Sequence, residues 1–409
     1  MRKTIWFINE YNPIPGAQWK KSRSATICEL LSEKYNVIWW TASFRHETKT
    51  HMPLGEIVIS DSFKIEVVKS TSYKKHVSFK RIVRDNSFGK HLKKEIQKWP
   101  IPYLIITNGN PIRFCSPEYW YVKKHNVPVI VMMDDIWPDV IEMVLKGPMK
   151  PFIHLALLPM YKKRNKFFRY SNGFVATGTH HLNDLINMPG DGKIRKNECV
   201  YNGIDVFKFR ELLHNKPSDS LNLPNKKDGE IWCVYSGGFG ANYDIELIAK
   251  AAEYFEKTNP NIKFFLTGTG PLKSYVEQKS KELSNFTYLG LVSFEDLVAL
   301  YGLCDIGLAP YKSGESIDMP DKLFDYFAAG LAVICSLNKD AGDYLNKYQA
   351  GLIFEPKNLQ SFIKSIETLL DNNTLVQAKH NSYELGPTFD VRKQMPKFVR
   401  MVDEILNNQ

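Results

Sequence analysis

"MPDKLFDYFAAGLAVICS", residues 319–336, is the stretch whose reading decides the fold. Pro320 and Asp321 open a helix, Lys322 and Asp325 fall on one face at i,i+3, and Gly330 supplies the stop before the apolar run Leu331–Cys335. A cation and an acid therefore share one helix end. Taken alone, that is either a surface ion pair on an ordinary helix or a device for holding an anion.

Outward from this stretch, short apolar runs bounded by turn residues alternate with longer segments of helical period, the pattern of βαβ units and parallel sheets. Strands are expected at Thr4–Ile8, Asn36–Thr41, Tyr103–Thr107, Pro128–Met132 and Gly173–Ala176 in the first half. In the second half they are expected at Trp232–Ser236, Lys263–Thr267, Thr287–Leu289, Ile306–Ala309 and Leu331–Cys335. At 409 residues the chain exceeds what one core supports, so each half is read as its own doubly wound α/β sheet. Residues 1–205 form the first domain, 206–230 a hinge, 231–388 the second domain, and 389–409 a C-terminal helix expected to pack back toward the first. The tract "HNKPSDSLNLPNKKDGE" (214–230) has no apolar period and marks the connection.

Six cysteines lie scattered without a C-x-x-C pair, which argues against a disulfide framework and a zinc site. The first apolar run is interrupted by Asn9 and Glu10, too soon for a signal segment, and no run reaches the roughly 18 apolar residues that span a bilayer. A cytoplasmic setting is expected.

The motifs of the second half all fall where parallel sheets bind ligands. "YSGGFG" places Gly237 and Gly238 directly after a strand, and "FFLTGTGPL" places Gly268 and Gly270 after the next. Glycine turns at the carboxyl edge of such a sheet let backbone N–H groups approach a phosphate, although each is equally a tight βα turn. "NFTYLGLVSFEDLVALYGLCDIGLAPY" adds a further strand, helix and strand, ending at Tyr311. The helix of the opening stretch follows the last of these loops, so Lys322 adds a full charge to a positive helix end.

In that order these segments resemble the nucleotide-sugar half of retaining GT-B glycosyltransferases of family 4, and most closely a bacterial subgroup of amino-deoxysugar transferases in surface-polysaccharide assembly. "NPIPGAQWKKSRSATICELLSEKYNVIWWT" resembles the family's first strand, glycine loop and helix. "DDIWPDVIEM" resembles the subgroup's D-hydrophobic-W-P element, and "VYNGIDVFKF" its hinge. The resemblance implies a GT-B architecture, two Rossmann-like domains facing a central cleft. It implies donor contacts from Gly237, Gly238, Gly268, Gly270, Tyr311, Ser316, Asp318, Pro320, Lys322, Leu323 and Asp325, with Asp325 on a ribose diol. Acceptor contacts fall to Gly16, Asp134 and Asp135, and Lys322 and Asp135 are the candidate catalytic residues. Asp134 and Asp135 are alternatively helix caps.

Two departures stand out. The first of the family's paired glutamates is replaced by Ile317 and the second by Asp325, which leaves Ser316 and Asp318 as stand-ins toward the sugar. "GGFGANYDIEL" also lacks the Arg and Lys that many members use on the diphosphate. No D-x-D motif occurs, so neither a metal nor another cofactor is expected.

Charge divides the halves: residues 1–205 hold 32 cations against 18 acids, a balance of +14, while 206–409 hold 22 against 26, or −4. Tyr73–Lys98 and Leu145–Tyr170 concentrate Lys and Arg among Phe, Leu, Met and Tyr, a composition suited to an anionic bilayer, or to a solvated face over core helices. No nucleic-acid motif is present. The expected protein is a glycosyltransferase moving a sugar from a nucleotide-diphosphate sugar, UDP-linked, to a lipid-linked or oligosaccharide acceptor, peripheral on the inner membrane face. The alternatives are an epimerase of the same architecture and a non-catalytic basic binding protein. His180 and His181 are assigned no chemistry.

Overall fold

The computed structural model describes residues 2–16, 22–74, 78–109, 116–133, 136–144, 150–215, 217–218, 221, 223–240, 242–312 and 317–407. They form an α/β protein of two compact units, residues 1–200 with 395–409 and residues 201–394.

The first unit is built on eight strands: β1 (Thr4–Ile8), β2 (Asn36–Ala42), β3 (Gly55–Ser60), β4 (Phe63–Val68), β5 (Leu104–Thr107), β6 (Val129–Met133), β7 (Gly173–Ala176) and β8 (Lys196–Cys199). Their order is β3-β4-β2-β1-β5-β6-β7-β8, parallel except for the β3–β4 hairpin at one edge. The inner strands are apolar on both faces because helices cover both, which is why "IWFI" and "VIVMM" read as continuous runs. On one face Trp6 packs edge-on to Trp40 at 5.5 Å and against Tyr121 at 5.0 Å, within a core that includes Phe88, Val129, Phe168 and Phe174. The end of the helix Val391–Asn407 belongs to this unit. Asp403 accepts from Tyr35 Oη at 2.6 Å and from Lys34 Nζ at 2.7 Å, and Lys196 pairs with Glu404.

The second unit holds β9 (Ile231–Gly238), β10 (Ile262–Thr269), β11 (Phe286–Tyr288), β12 (Ile306–Ala309), β13 (Ala332–Cys335) and β14 (Gly351–Ile353), all parallel in the order β11-β10-β9-β12-β13-β14. Asp305, just before β12, ties three elements together. It accepts from Lys226 at 2.6 Å, from Lys379 at 2.9 Å and from the Trp232 amide at 2.9 Å.

Every strand expected from the sequence forms, with ends shifted by at most two residues. Four unexpected strands, β3, β4, β8 and β14, are edge strands or next to an edge, where a long apolar run is not required. Residues 206–213 of the stretch read as a hinge are helical instead. Asp205 caps that helix through the Lys208 amide at 3.1 Å, and the i,i+3 pair Val206 and Phe209 is buried.

Candidate functional site

The helix of the opening stretch runs Asp321–Ala329, with Pro320 at its N-cap and Gly330 in the left-handed region at φ +72°. Pro320 at the N-cap makes no side-chain cap hydrogen bond, so among the described residues the positive end of the helix dipole is left without a side-chain cap. Lys322 sits in the first turn and is buried, 8% exposed.

Its ammonium nitrogen has no hydrogen-bond partner among the described residues. Three tyrosine rings surround it instead, with centroids at 4.0 Å for Tyr235, 4.4 Å for Tyr243 and 5.4 Å for Tyr311. Ring faces attract a cation but give it no acceptor for its three N–H bonds. Burial accordingly lowers the pKa of Lys322 from 10.5 to about 7, against the smaller opposing influences of Cys335 and Asp325.

The tyrosine box is held from several elements. Tyr235 lies within β9, three residues before its end, and donates its hydroxyl to the Gly238 carbonyl at 2.7 Å. Tyr243 and Tyr311 pair through an isolated antiparallel bridge, their rings 5.0 Å apart. Ser336 locks Tyr311 by accepting from its amide at 2.7 Å and donating to its carbonyl at 2.8 Å.

The glycines prove to be strand ends rather than a loop. Gly237 and Gly238 close β9, Gly268 is the penultimate residue of β10 with Gly270 just past its end, and Gly237 pairs with Gly268 in register. A Cβ on Gly268 would lie 1.8 Å from the Gly237 carbonyl oxygen, and one on Gly270 would lie 2.8 Å from the backbone of Phe239. A Cβ on Gly237 would stand 3.3 Å from Lys322 Nζ. Gly237 therefore keeps the space over the ammonium open.

Of the other expected donor residues, Asp325 lies one turn into the helix and interacts electrostatically with Lys322 and the buried Tyr301. Asp318 is 2% exposed and ion-paired with Lys339 at 3.1 Å, so its carboxylate is engaged inside the unit rather than open to a sugar. Leu323 is wholly buried, and its amide donates to the Pro320 carbonyl at 3.0 Å; it packs the core beneath the site instead of presenting a side chain to a ligand. Ser316 lies outside the described residues, as do Asp134 and Asp135. Gly16, in the first unit, is exposed at φ +77° with open space around it. The sequence does not single out Tyr235 or Tyr243, because a tyrosine inside an apolar strand reads as core and one in the turn after it reads as an ordinary loop residue.

Two cations of the basic stretches are internal. Arg84 is fully buried and paired with Asp85 at 2.8 Å, and Arg164 is 5% exposed and paired with Asp139 at 2.7 Å. Lys162, Lys163 and Lys166 are exposed, and the same helix, Lys150–Phe168, exposes Phe152 and Leu155. No helix among the described residues is long and apolar enough to cross a membrane.

Two units built in this way define the fold of the GT-B glycosyltransferases. The chain superposes over its whole length on sucrose-phosphate synthase from Thermosynechococcus elongatus, with a TM-score of 0.72 at 15% identity and all of both chains covered. It also superposes on Anabaena HepE in complex with UDP and glucose, with a TM-score of 0.65 at 14% identity, covering 98% of this chain and 100% of that one. Residues 230–372, which contain every element of the tyrosine box, match the family of glycosyl transferases group 1. A chitobiosyldiphosphodolichol beta-mannosyltransferase of Candida glabrata is 29% identical over 140 residues, 32% of this chain and 31% of that protein. The chain spans about a third of the length of the curated relatives it matches.

Proposed function

We propose that this protein is a glycosyltransferase that moves a sugar from a UDP-linked donor to a lipid-linked or oligosaccharide acceptor, with retention of configuration, in bacterial surface-glycan assembly. The observation that carries the reading is Lys322. A buried ammonium with three ring faces and no acceptor, beside an uncapped helix end and glycine strand ends, is completed by a diphosphate. The match of residues 230–372 to glycosyl transferases group 1 supports a nucleotide-sugar donor, and the relative named for a diphosphodolichol acceptor supports a lipid-linked one.

In this reaction the bond from the anomeric carbon to the diphosphate breaks, the bond to the acceptor oxygen forms on the same face, and the acceptor proton passes to the departing phosphate oxygen. Charge grows on the diphosphate as it leaves, so Lys322 and the helix end stabilise the transition state more than the bound donor. Asp325 holds the ribose hydroxyls. Product NMR reads the stereochemistry: a β-linked product from an α-linked donor overturns the retaining course while leaving the donor site in place.

A thermal-shift series with UDP, GDP, ADP and their sugar conjugates tests the donor. A ligand at a hundred times its Kd adds about 2.7 kcal/mol of apparent stability, which raises the melting temperature by several degrees. UDP conjugates are expected to give the largest rise. No rise with any nucleotide would remove the proposal.

We also propose that the helix Lys150–Phe168 seats on an anionic bilayer, its Phe152 and Leu155 in the interface and Lys162, Lys163 and Lys166 on headgroups. Replacing those three lysines by Gln is expected to cut sedimentation with phosphatidylglycerol vesicles several-fold at 100 mM salt, each cation near the surface contributing about 1 kcal/mol. Equal sedimentation of variant and parent would exclude this face.

A further inference from the structure

The ammonium of Lys322 is sealed. Its nitrogen is shut off from solvent, and the three ring centroids lie 4.0, 4.4 and 5.4 Å away. A phosphate oxygen that accepts from it must come within about 3 Å. That space is taken, so a wall of the box has to move before an anion reaches the nitrogen.

The three walls are not equally fixed. Tyr235 is fully buried on β9, between β10 and β12, packs its ring against Phe239 and Tyr243, and anchors its hydroxyl on Gly238. Tyr311 is also buried, with its amide and carbonyl both held by Ser336. Tyr243 is only half-buried, in the turn between β9 and the helix Ile245–Thr258, and Gly238 and Asn242 beside it are exposed. Gly238 offers no side chain to hold the ring: a Cβ there would touch Tyr243 Cε2 at 3.5 Å.

The backbone under Tyr243 is pinned. Its amide donates to the Gly240 carbonyl at 3.2 Å, the Asp244 amide to the Pro310 carbonyl at 2.9 Å, and the Lys312 amide to the Asn242 carbonyl at 3.0 Å. Movement is left to the side chain, a turn about χ1 that carries the ring outward while the backbone stays in place. The ring is restrained by its contact with Tyr311 at 5.0 Å, by a side-chain hydrogen bond to that residue, and by its attraction to the ammonium. Opening gives up one ring face but lets water or an incoming oxygen reach N–H bonds that had no acceptor, so loss and gain offset each other.

We propose that Tyr243 is the gate of the donor site: its ring seals Lys322 when the site is empty and swings aside to admit the phosphate groups of the donor. This rests on the reading of the chain as a glycosyltransferase and adds to it a step that precedes binding. An anion that meets the closed box finds no donor on Lys322, so at high ligand concentration association is limited by opening and not by encounter.

Chemical labelling reads the gate without any nucleotide. With acetic anhydride at pH 8 and peptide mass spectrometry, Lys322 of the parent is expected to react at least tenfold more slowly than the exposed Lys162. Tyr243→Ala is expected to speed the labelling of Lys322 at least tenfold, while Tyr243→Phe, which keeps the ring, stays within about threefold of the parent. Fast labelling of Lys322 in the parent, or equal labelling in the parent and Tyr243→Ala, would overturn the gate. Rapid mixing with a fluorescent N-methylanthraniloyl derivative of UDP gives a second reading on the parent itself. Its observed binding rate is expected to level off as the ligand is raised, whereas that of Tyr243→Ala keeps rising in proportion; a proportional rise in the parent would also overturn the gate. Failure of the parent to bind the nucleotide at all would instead remove the glycosyltransferase reading, and the labelling result would judge the gate separately.

Discussion

Lys322→Met is expected to lower kcat/KM by roughly a thousandfold or more while raising the melting temperature. The two effects have one origin. Methionine keeps the length and apolar stem of the side chain but removes an ammonium that the folded protein holds among three rings without an acceptor. The folded pKa of about 7 lies below the ordinary 10.5, so the native state resists a proton that the unfolded chain accepts. The penalty is therefore complete below pH 7, shrinks as pH rises from 7 to 10.5, and vanishes above that. The variant should gain about 2–4 kcal/mol near neutrality, after allowing for the ring contacts, or about 4–16 °C for a unit of this size. The gain should fade by pH 10.

The same linkage makes donor binding take up a proton. A diphosphate beside Lys322 restores its charge, so titrations at pH 8.5 in buffers of different ionisation enthalpy should show an uptake approaching one proton, absent in Lys322→Met. A variant that is more stable and still turns over would disconnect the buried ammonium from catalysis. A variant that is inactive and less stable would mean that the ring faces already satisfy the cation.

Much of this site is written in local sequence, and the part that is not depends on tertiary placement. Pro320, Lys322, Asp325 and Gly330 announce a helix with a charged start through spacing alone, and the helix Asp321–Ala329 forms as read. The glycines after each strand were visible too, though not that Gly237 and Gly268 would face each other across two strands with backbone nearly touching backbone. Tyr235 and Tyr243 belong to segments that lie some eighty residues before Lys322, and nothing in their own neighbourhood distinguishes a ring that boxes a cation from one that fills a core. Asp318 shows the converse. Its position beside the helix start reads as a sugar contact, yet Lys339, from the far side of β13, reaches back and occupies it. The hairpin β3–β4 is not legible as part of the sheet because β3 is almost wholly exposed and β4 interrupts its apolar residues with Lys64 and Glu66, unlike the continuous apolar runs of the inner parallel strands.

Gly268→Ala is expected to be the most disruptive single methyl group in the second unit. Gly268 sits at φ +139°, where an L side chain is strained, and its Cβ would fall 1.8 Å from the carbonyl oxygen of Gly237, which has no flexible end to move aside. Relief requires β9 and β10 to part at their carboxyl ends. That motion breaks the register of Gly237 with Gly268 and displaces Tyr235, whose hydroxyl is held by the Gly238 carbonyl. The cost should exceed about 4 kcal/mol, which lowers the melting temperature of the unit by about 8–16 °C. Nucleotide binding should fall with it even at temperatures where the variant stays folded, because the box around Lys322 loses one wall. Gly240→Ala provides the contrast. It lies two residues past the strand end with nothing within 4 Å of its Cβ, so stability and binding should stay within experimental error of the parent. Equal tolerance at 268 and 240, measured by thermal melts and nucleotide titration, would show that the close approach of the two strand ends is not what shapes the site.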